Sequence, residues 1–435
     1  MLPLLTFAEG PWNQKTESIR DAITNGRADN VILFIGDGMG DSEITIARNY
    51  QVGANGRLNL DKLPLTGEAT TYAVQESNPA LPEYVTDSAA SGTGWATGVK
   101  TSNGRVSTTP GTDKDLTTIL ELVQKRGLRT GDVSTAELTD ATPAVLASHV
   151  SARGCQGPAD MAACPQDKKA AGGPGSIAEQ EVDHSVDVLL GGGKQRFDQV
   201  IDGGPYAGKT VSESATAQGY KVVTTADDLA AVQPGTKVLG LFNQGNMSLN
   251  WSGALAQPYP GSGPQHCVEG QRPANEPSLA AMTRKAIALL ENKKGFFLQV
   301  EGASIDKQNH ASNPCGQIGE TITFDEAVKV GLEYQKANPR TLVIVTADHG
   351  HTSQIIEPPS SPDQPGAFST LITADNTNMV VSYASAPAGE SQSHTGTEVR
   401  VAAQGPGAAN VVGIINQTDL FSIMRHQMKL DTDSR

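Results

Sequence analysis

The sequence predicts an α/β fold: a large, mostly parallel central β-sheet sandwiched by helices, with insertions at the surface. Short apolar runs alternate with amphipathic stretches along the chain, which is typical of strands joined by helices. Two of the apolar runs lead directly into acidic and imidazole side chains, at Glu301 and at Asp348-His349. Because ligands of such folds bind in the crevice outside the carboxyl ends of the strands, the same sheet is expected to carry the functional site.

Six apolar runs are predicted to be buried strands. They span residues 31–35, 131–134, 237–242, 296–300, 342–346 and 379–383. Apolar residues spaced as on one helix face predict two helices between them. The first face holds Leu116, Ile119, Leu120 and Val123, and the second holds Leu279, Met282, Ala286 and Leu290 with Ser278 as the N-cap. A last helix is predicted over 417–428.

The chain of 435 residues shows no internal repeat, and residues 30–435 are predicted to form one α/β domain. Insertions are expected near 157–169 and 358–377, and residues 1–29 form an N-terminal extension. The formal net charge of −14 argues against nucleic acid or an anionic membrane as a partner. It does not argue against an anionic substrate, because bound cations would dominate the field inside a metal site.

Four cysteines fall as two separated pairs, Cys155 with Cys164 and Cys267 with Cys315. Neither pair has the C-x-x-C spacing of a zinc ribbon, so two disulfides and an oxidising compartment are predicted; four buried free thiols are the alternative. The sequence contains no apolar run of the roughly 20 residues that a membrane span needs. Residues 1–5 are too short, and lack the basic start, for a signal peptide, so export would require a signal that this sequence does not contain.

Asp37 is the first candidate site residue, because it follows the apolar run 31–35 inside a glycine-rich turn. Glycines there permit close backbone approach, and a carboxylate at a strand end can bridge two cations. An Asx turn is the alternative interpretation of the same pattern.

Ser88 is the candidate nucleophile. Small residues follow it, which predicts a tightly packed helix whose N-terminus presents Ser88 and free amides to an anion. Alternatively, Asp87 or Ser88 only caps the helix. A G-x-S-x-G elbow is missing from the sequence, so a zinc ion that lowers the pKa of the hydroxyl is favoured over a His-Asp triad.

Asp140, Thr142 and Arg153 form a third candidate group. The Thr142 hydroxyl suits a hard cation such as magnesium, and Asp140 could hold that cation's waters. The planar guanidinium of Arg153, anchored near Cys155, suits two oxygens of a phosphoryl group. A helix cap and a surface arginine are the alternatives.

Asp306 and His310 stand four residues apart, so on a helix they face the same way and can share one metal ion. Glu301 ends the preceding strand and adds an oxygen ligand, and Lys307 adds a positive charge for the substrate. Carboxylate oxygen combined with neutral imidazole nitrogen suits zinc.

Asp348, His349 and His351 follow the apolar run 342–346, so these polar side chains leave the core at one point. His394 supplies a further imidazole from a late loop, although a single loop histidine is usually a solvated surface residue. Four of the eight histidines thus lie in such contexts. Together these groups predict a multi-metal hydrolase.

These residues resemble the alkaline phosphatases, specifically the bacterial periplasmic type. The resemblance runs from about Asn30 to Gln427. It is carried by the long motifs at residues 35–42, 85–91, 140–143, 300–308 and 346–349. In the animal relatives the positions of Asp140 and Lys307 tend to be histidines, which favours the bacterial form. Gly350 departs from the commonest bacterial pattern and is expected to change loop flexibility more than chemistry.

The resemblance implies two zinc ions and one magnesium ion per chain. One zinc would be held by Asp306, His310 and His394, and the other by Asp37, Asp348 and His349. Asp37 would bridge toward a magnesium ion that Thr142 and Glu301 complete.

By the same resemblance, Ser88 would be the nucleophile, Arg153 the phosphate clamp and Asp87 its positioning partner. Asp140 would act through magnesium-bound waters, and Lys307 through a water on the phosphate. His351 would lie beside the zinc pair without binding it directly.

The implied activity is hydrolysis of phosphate monoesters, rising toward alkaline pH, through a phosphoserine intermediate. Inorganic phosphate would be product and inhibitor, and the protein would be a periplasmic or secreted homodimer, with the N-terminal extension in reach of the dimer contacts. A sulfatase or phosphodiesterase is one alternative, but residues 88–92 lack the sulfatase motif and Arg153 favours monoesters. A metal- or phosphate-binding protein without activity is the other.

Overall fold

The computed structural model describes residues 12–430, so residues 1–11 of the predicted N-terminal extension lie outside the described part of the chain. The strands are β1 (Asn30–Gly36), β2 (Leu65–Thr70), β3 (Ala73–Val74), β4 (Pro82–Glu83), β5 (Arg129–Glu137), β6 (Val188–Gly192), β7 (Lys221–Val223), β8 (Val238–Leu241), β9 (Ser262–Gln265), β10 (Phe296–Gly302), β11 (Thr341–Ala347), β12 (Gln354–Ile356), β13 (Ala367–Ile372), β14 (Asn378–Tyr383), β15 (Val399–Gln404) and β16 (Gly413–Asn416). The helices are α1 (Trp12–Ala22), α2 (Asp41–Val52), α3 (Ser88–Thr97), α4 (Ile119–Lys125), α5 (Ala141–Ala147), α6 (Ile177–Asp183), α7 (Lys194–Phe197), α8 (Val211–Ala217), α9 (Ala226–Ala230), α10 (Leu279–Leu290), α11 (Ser304–His310), α12 (Pro314–Ala337) and α13 (Asp419–Gln427).

Ten strands form one central sheet, in the order β16-β2-β15-β11-β1-β10-β5-β6-β8-β7. β15 pairs antiparallel with β11 and with β2. The other neighbouring pairs of the sheet are parallel. The predicted α/β fold with a mostly parallel sheet is confirmed.

Helices cover both faces of the sheet centre, which is why β1, β10 and β11 are buried along their whole length. On one face the ring of Phe34 packs edge-on against Phe324 of α12, with ring centroids 6.1 Å apart. On the other face Gln299 accepts a hydrogen bond from Trp95 Nε1 of α3 and donates one to the carbonyl oxygen of Thr142 in α5. The side chains therefore alternate between the two helical layers.

The carboxyl ends of the three central strands lie in register. Gly36 at the end of β1 pairs with Gly302 at the end of β10 and with Ala347 at the end of β11. Asp37 and Asp348 follow two of these strands directly, and Glu301 is the penultimate residue of the third. The sheet register thus brings three acidic residues from distant parts of the sequence to one edge.

A second, four-stranded sheet has the order β12-β14-β13-β9. The predicted strand at 379–383 forms β14 of this sheet and does not join the central one. Within the predicted insertion 358–377, residues 367–372 form β13, in which Phe368 and Leu371 are fully buried. That insertion therefore contributes to the core of the smaller sheet.

Two predicted helices start later than expected. α4 begins at Ile119 because the Thr118 hydroxyl and Glu121 form a capping box there, so Leu116 lies outside the helix. The main-chain amide of Leu116 instead donates to the carbonyl oxygen of Ser107. The last helix is α13, shorter at both ends than 417–428. α10 begins after Ser278, whose side chain accepts from the amide of Ala281 as predicted.

Both predicted disulfides are present. Cys155 and Cys164 close a loop with a sequence separation of 9, and Cys267 and Cys315 span 48 positions. Within residues 12–430, none of the helices combines the length and the apolar character needed to cross a membrane.

Glu43 of α2 gives a prediction about stability. Its side chain is fully buried, Ser353 Oγ donates to its Oε1 at 2.5 Å, and burial raises the pKa of the Glu43 carboxyl to about 7. The folded state therefore holds this proton more tightly than the unfolded chain does. The free energy of unfolding should consequently fall by about 2–3 kcal/mol as the pH rises from about 5 to about 8.

Glu43→Gln should remove that part of the pH dependence, measured by denaturant unfolding at a series of pH values. Glu17→Gln, at an exposed position on α1, is the matched control. Parallel curves for the unmodified protein and Glu43→Gln would show that Glu43 does not retain its proton in the folded state.

Candidate active site

The first cluster at the sheet edge consists of Asp37, Asp348 and His349. His349 Nε2 lies 3.1 Å from Asp348 Oδ2 and 3.6 Å from Asp37 Oδ1. Asp348 Oδ1 accepts from the main-chain amides of Gly38 and His349, at 2.8 and 2.9 Å. Asp348 Oδ2 is buried and makes no hydrogen bond. One oxygen of this carboxylate is thus fixed by the backbone while the other faces the cluster.

Gly38 allows a second cluster to approach the first. Its φ is +64°, and a Cβ at this position would lie 3.0 Å from the Cα of Asp306. A larger residue would be strained in this conformation and would push Asp306 away. The glycine-rich turn after β1 is therefore required by both its backbone geometry and its close packing.

The second cluster consists of Asp306, His310 and His394. Asp306 and His310 lie one turn apart on α11, with His310 Nε2 3.3 Å from Asp306 Oδ2. His394 Nε2 lies 3.3 Å from Asp306 Oδ1 and 3.1 Å from His310 Nε2. The His394 loop is held by a β-bridge between Thr395 and Gly350.

Gly350 has a packing role that the sequence did not reveal. A Cβ on Gly350 would lie 2.4 Å from Thr397 Cγ2 and 3.1 Å from Thr395 Oγ1. The absent side chain therefore lets the segment carrying His349 lie against the loop carrying His394. The expected effect on loop flexibility stays a prediction.

Main-chain carbonyls orient the three imidazoles of these clusters. His394 Nδ1 lies 3.0 Å from the carbonyl oxygen of Thr86, and His349 Nδ1 lies 3.2 Å from that of Gly350. His310 Nδ1 contacts a main-chain carbonyl in the same way. Because a carbonyl only accepts, each Nδ1 must carry the proton. In the neutral ring, Nε2 then presents its lone pair to the cluster, as a metal ligand does.

His351 has the opposite arrangement. Its Nδ1 accepts a hydrogen bond from the main-chain amide of Thr352 at 2.9 Å. Burial lowers the pKa of His351 to about 4, so the ring is neutral at pH 7 and its proton lies on Nε2. That nitrogen is 3.2 Å from Asp306 Oδ1, outside hydrogen-bond alignment. His351 therefore presents a proton, not a lone pair, to the second cluster.

Glu301, near the end of β10, and Thr142, on α5, are both buried, and the carbonyl oxygen of Thr142 accepts from Gln299 of the same strand as Glu301. Ser134 Oγ donates to Glu301 Oε2, and burial raises the pKa of the Glu301 carboxyl to about 8. Within residues 12–430, Thr142 Oγ1 is buried without a hydrogen-bond partner. Ser134 was not predicted as a site residue, although its place at the end of a predicted strand was a usable signal.

Ser88 is the first residue of α3, and its Oγ faces the first cluster. It lies 3.3 Å from His349 Nε2 and 3.5 Å from Asp37 Oδ1. The N-cap is Asp87, whose side chain accepts from the amide of Ala90 at 2.9 Å. Capping is thus provided by Asp87, which leaves the Ser88 hydroxyl free to face the cluster.

The side chains of Arg153 and Lys307 form ion pairs with Asp140, and Arg153 also contacts Asp87, the residue before Ser88. Arg153 Nη2 lies 2.8 Å from Asp140 Oδ1, and its Nη1 lies 3.2 Å from Asp87 Oδ2. Lys307 Nζ lies 2.6 Å from Asp140 Oδ2. Burial alone would raise the pKa of Asp140, but Lys307 and Arg153 hold it below its usual range. One-third of the Arg153 side chain is exposed, so an anion can reach it from solvent.

The residues of the site are suited to binding metal ions. Burial, followed by the charges of Asp348 and Asp306, raises the pKa of Asp37 well above its usual value. Such a concentration of buried carboxylates is relieved by metal ions. Asp348 Oδ2 and Thr142 Oγ1 are buried polar atoms without partners, as expected of atoms that await a ligand. The two Asp/His clusters suit zinc, and oxygen donors such as Thr142 and Glu301 suit magnesium.

The mostly parallel sheet and the groups at its edge define an α/β protein with candidate metal-binding groups. A family model described as alkaline phosphatase matches residues 28–390 and 372–430. The chain belongs to the alkaline phosphatase family. It is an enzyme, and phosphate monoesters are its substrates.

Individual relatives support this assignment. The streptomycin-6-phosphate phosphatase of Streptomyces griseus is 52% identical over 404 residues, covering 91% of this chain and 89% of that protein. The alkaline phosphatase of Escherichia coli (strain K12) is 51% identical over 429 residues, covering 96% and 89%. The crystal structure of Thermus thermophilus alkaline phosphatase shares the fold, with a TM-score of 0.69 and 22% identity over 99% of this chain and 96% of that chain.

The ring contacts give a prediction for His351. At neutral pH its ¹⁵N resonances should show a neutral ring protonated at Nε2, because the amide of Thr352 occupies Nδ1. A long-range ¹H–¹⁵N spectrum of histidine-labelled protein measures this tautomer, and the signal that disappears in His351→Gln assigns it. A proton found on Nδ1 would contradict the contact with Thr352.

Proposed function

We propose that Ser88 is the nucleophile of this phosphatase and that the reaction passes through a phosphoserine. The observation that carries the proposal is the position of Ser88 Oγ, 3.3 Å from His349 Nε2 and 3.5 Å from Asp37 Oδ1. Ser88 is the first residue of the buried helix α3. At this end of a helix, free main-chain amides and the helix dipole favour an anion.

The proposed metal content of the active site is two zinc ions and one magnesium ion per chain. Asp37, Asp348 and His349 would hold one zinc, and Asp306, His310 and His394 the other. Thr142 and Glu301 would complete a magnesium site with Asp37. When bound, these cations lower the pKa of a hydroxyl that they contact and offset the negative charge of the entering and leaving oxygens. His351 would lie beside the second zinc with its Nε2 proton turned toward Asp306, and would not bind metal.

Arg153 would bind two nonbridging oxygens of the phosphoryl group. Its guanidinium is planar, is held by Asp87 and Asp140, and belongs to a side chain that is one-third exposed. Asp140 keeps one carboxylate oxygen on Arg153 and the other on Lys307, so it fixes the separation of these two cations. Asp140 would also hold waters of the magnesium site, and Lys307 would contact the phosphate through a water.

The reaction then has two displacements. The Ser88 hydroxyl releases its proton to solvent, and its Oγ forms a bond to phosphorus as the bond to the ester oxygen breaks; the alcohol leaves with a proton from solvent. A water next loses a proton to solvent and forms a bond to the same phosphorus, and the Ser88 oxygen–phosphorus bond breaks. Inorganic phosphate is released, and Ser88 Oγ takes up a proton from solvent, which restores the hydroxyl.

The protein is further proposed to act as a homodimer in an oxidising compartment such as the periplasm. The two disulfides support the compartment. Within residues 12–430 the sheet ends on the edge strand β16, in which Ile414 is 71% exposed. Val412, directly before this strand, is 53% exposed, and Tyr84 is 74% exposed elsewhere. Exposed apolar side chains at a free strand edge favour association between chains.

Ser88→Ala should lower kcat for a chromogenic phosphate monoester on the order of 10³-fold or more, because the attacking oxygen is removed. Acid quenching with a ³²P-labelled monoester should trap label on the unmodified enzyme and none on Ser88→Ala. Ser91→Ala is the matched control, since Ser91 lies one turn along α3 and donates to the carbonyl oxygen of Asp348. Label retained on Ser88→Ala would assign the nucleophile to another residue.

The metal assignment predicts that single substitutions remove different ions. Thr142→Val, which keeps the side-chain shape, should lower bound magnesium by about one equivalent per chain and leave zinc unchanged. His394→Gln should lower zinc by about one equivalent and leave magnesium in place. Elemental analysis of the desalted proteins measures both. Loss of zinc in Thr142→Val with magnesium retained would contradict the division of the sites.

A further inference from the structure

Glu121, His149 and His184 form a third cluster of potential metal ligands, separate from the residues of the active site. Their ligand atoms all lie within 4.8 Å of one another. Glu121 is on α4, His184 directly follows α6, and His149 lies in the segment that leads from α5 to Arg153. The cluster thus joins three separate elements, one of which carries the proposed phosphate clamp.

Both imidazoles are oriented by main-chain carbonyls. His149 Nδ1 lies 3.0 Å from the carbonyl oxygen of Ser107, and His184 Nδ1 lies 2.6 Å from that of Ala147. Each Nδ1 must donate its proton to that oxygen, so in the neutral ring Nε2 presents a lone pair. This is the arrangement found at His349 and His394, and the reverse of the one at His351.

Both Nε2 atoms face the same oxygen of Glu121. His149 Nε2 lies 3.5 Å and His184 Nε2 3.6 Å from Glu121 Oε1. These separations exceed the usual range of an N–H···O hydrogen bond. Ligands about 2.05 Å from a tetrahedral zinc ion lie about 3.4 Å from one another, which is close to the observed spacing. Lone pairs that face a carboxylate oxygen repel it unless a proton or a metal ion lies between them.

The carboxylate of Glu121 is fixed independently of the imidazoles. Its Oε2 accepts from the main-chain amide of Thr118 at 2.9 Å, as part of the capping box of α4. Oε1 is therefore aimed at the two histidines. The side chains of Glu121 and His184 are 21% and 30% exposed, so an ion can enter from solvent and a water can take a fourth position.

We propose that Glu121, His149 and His184 bind a zinc ion that has a structural role. Two imidazole nitrogens and one carboxylate oxygen are a donor set that zinc prefers. The ion would tie α4 and the end of α6 to the segment that carries Arg153, and would stabilise the fold without contacting the substrate.

Crystals of the unmodified enzyme grown with zinc test the proposal directly. Anomalous scattering at the zinc absorption edge should show a peak between His149 Nε2, His184 Nε2 and Glu121 Oε1. Elemental analysis of Glu121→Gln and of His184→Gln should each show about one zinc fewer per chain than the unmodified enzyme, with a lower melting temperature in the presence of zinc. Glu121→Gln removes the charge but can keep the capping box.

His426→Gln, at an exposed position on α13, is the matched control and should keep all of its zinc. Magnesium content and phosphoserine formation should be retained in all three variants, which separates this site from the active site. Density without an anomalous peak at the cluster would overturn the proposal, as would equal zinc content in Glu121→Gln, His184→Gln and the unmodified enzyme. A variant that fails to fold leaves the anomalous measurement as the deciding one.

Discussion

The in-register ends of β1, β10 and β11 impose the constraint on which the rest of the site depends. Because these strands stop at the same level, Asp37, Glu301 and Asp348 must share one buried edge of the sheet. Burial and mutual repulsion raise the pKa values of Asp37 and Glu301. A group of carboxylates in this environment is stable as anions only with cations beside it. The register of the sheet therefore favours bound cations at this edge before any single ligand is considered.

Part of that charge is balanced by the protein itself. Lys307 and Arg153 both contact Asp140, and this arrangement holds two cations close to Ser88 and the helix N-terminus of α3. Asp140 stays ionised between them despite its burial. The same contacts that stabilise the buried charges also hold the guanidinium of Arg153 in place. Stability and the proposed binding of the phosphoryl group would thus rest on one set of ion pairs.

Main-chain carbonyls determine what each imidazole can do. His349 and His394 donate from Nδ1 to a carbonyl and turn an Nε2 lone pair toward a carboxylate, whereas His351 accepts an amide proton at Nδ1 and presents Nε2–H. Two histidines that are two residues apart in the sequence, His349 and His351, therefore have different chemistry. The pattern of residue types could not distinguish them, because the difference lies in which backbone group each ring meets.

The sequence by itself determined the α/β class, the strands around Asp37, Glu301 and Asp348, and the family resemblance, because apolar runs and unusual motifs are local properties of the chain. It placed the start of α4 too early, since the Thr118–Glu121 capping box outweighed the apolar spacing that included Leu116. Only the tertiary structure decided that Ser88 Oγ faces Asp37 and His349, that Gly350 lies against Thr397, and that Glu121, His149 and His184 converge. These contacts join residues from separate elements, and their distances follow from sheet register and helix packing, which no local pattern encodes.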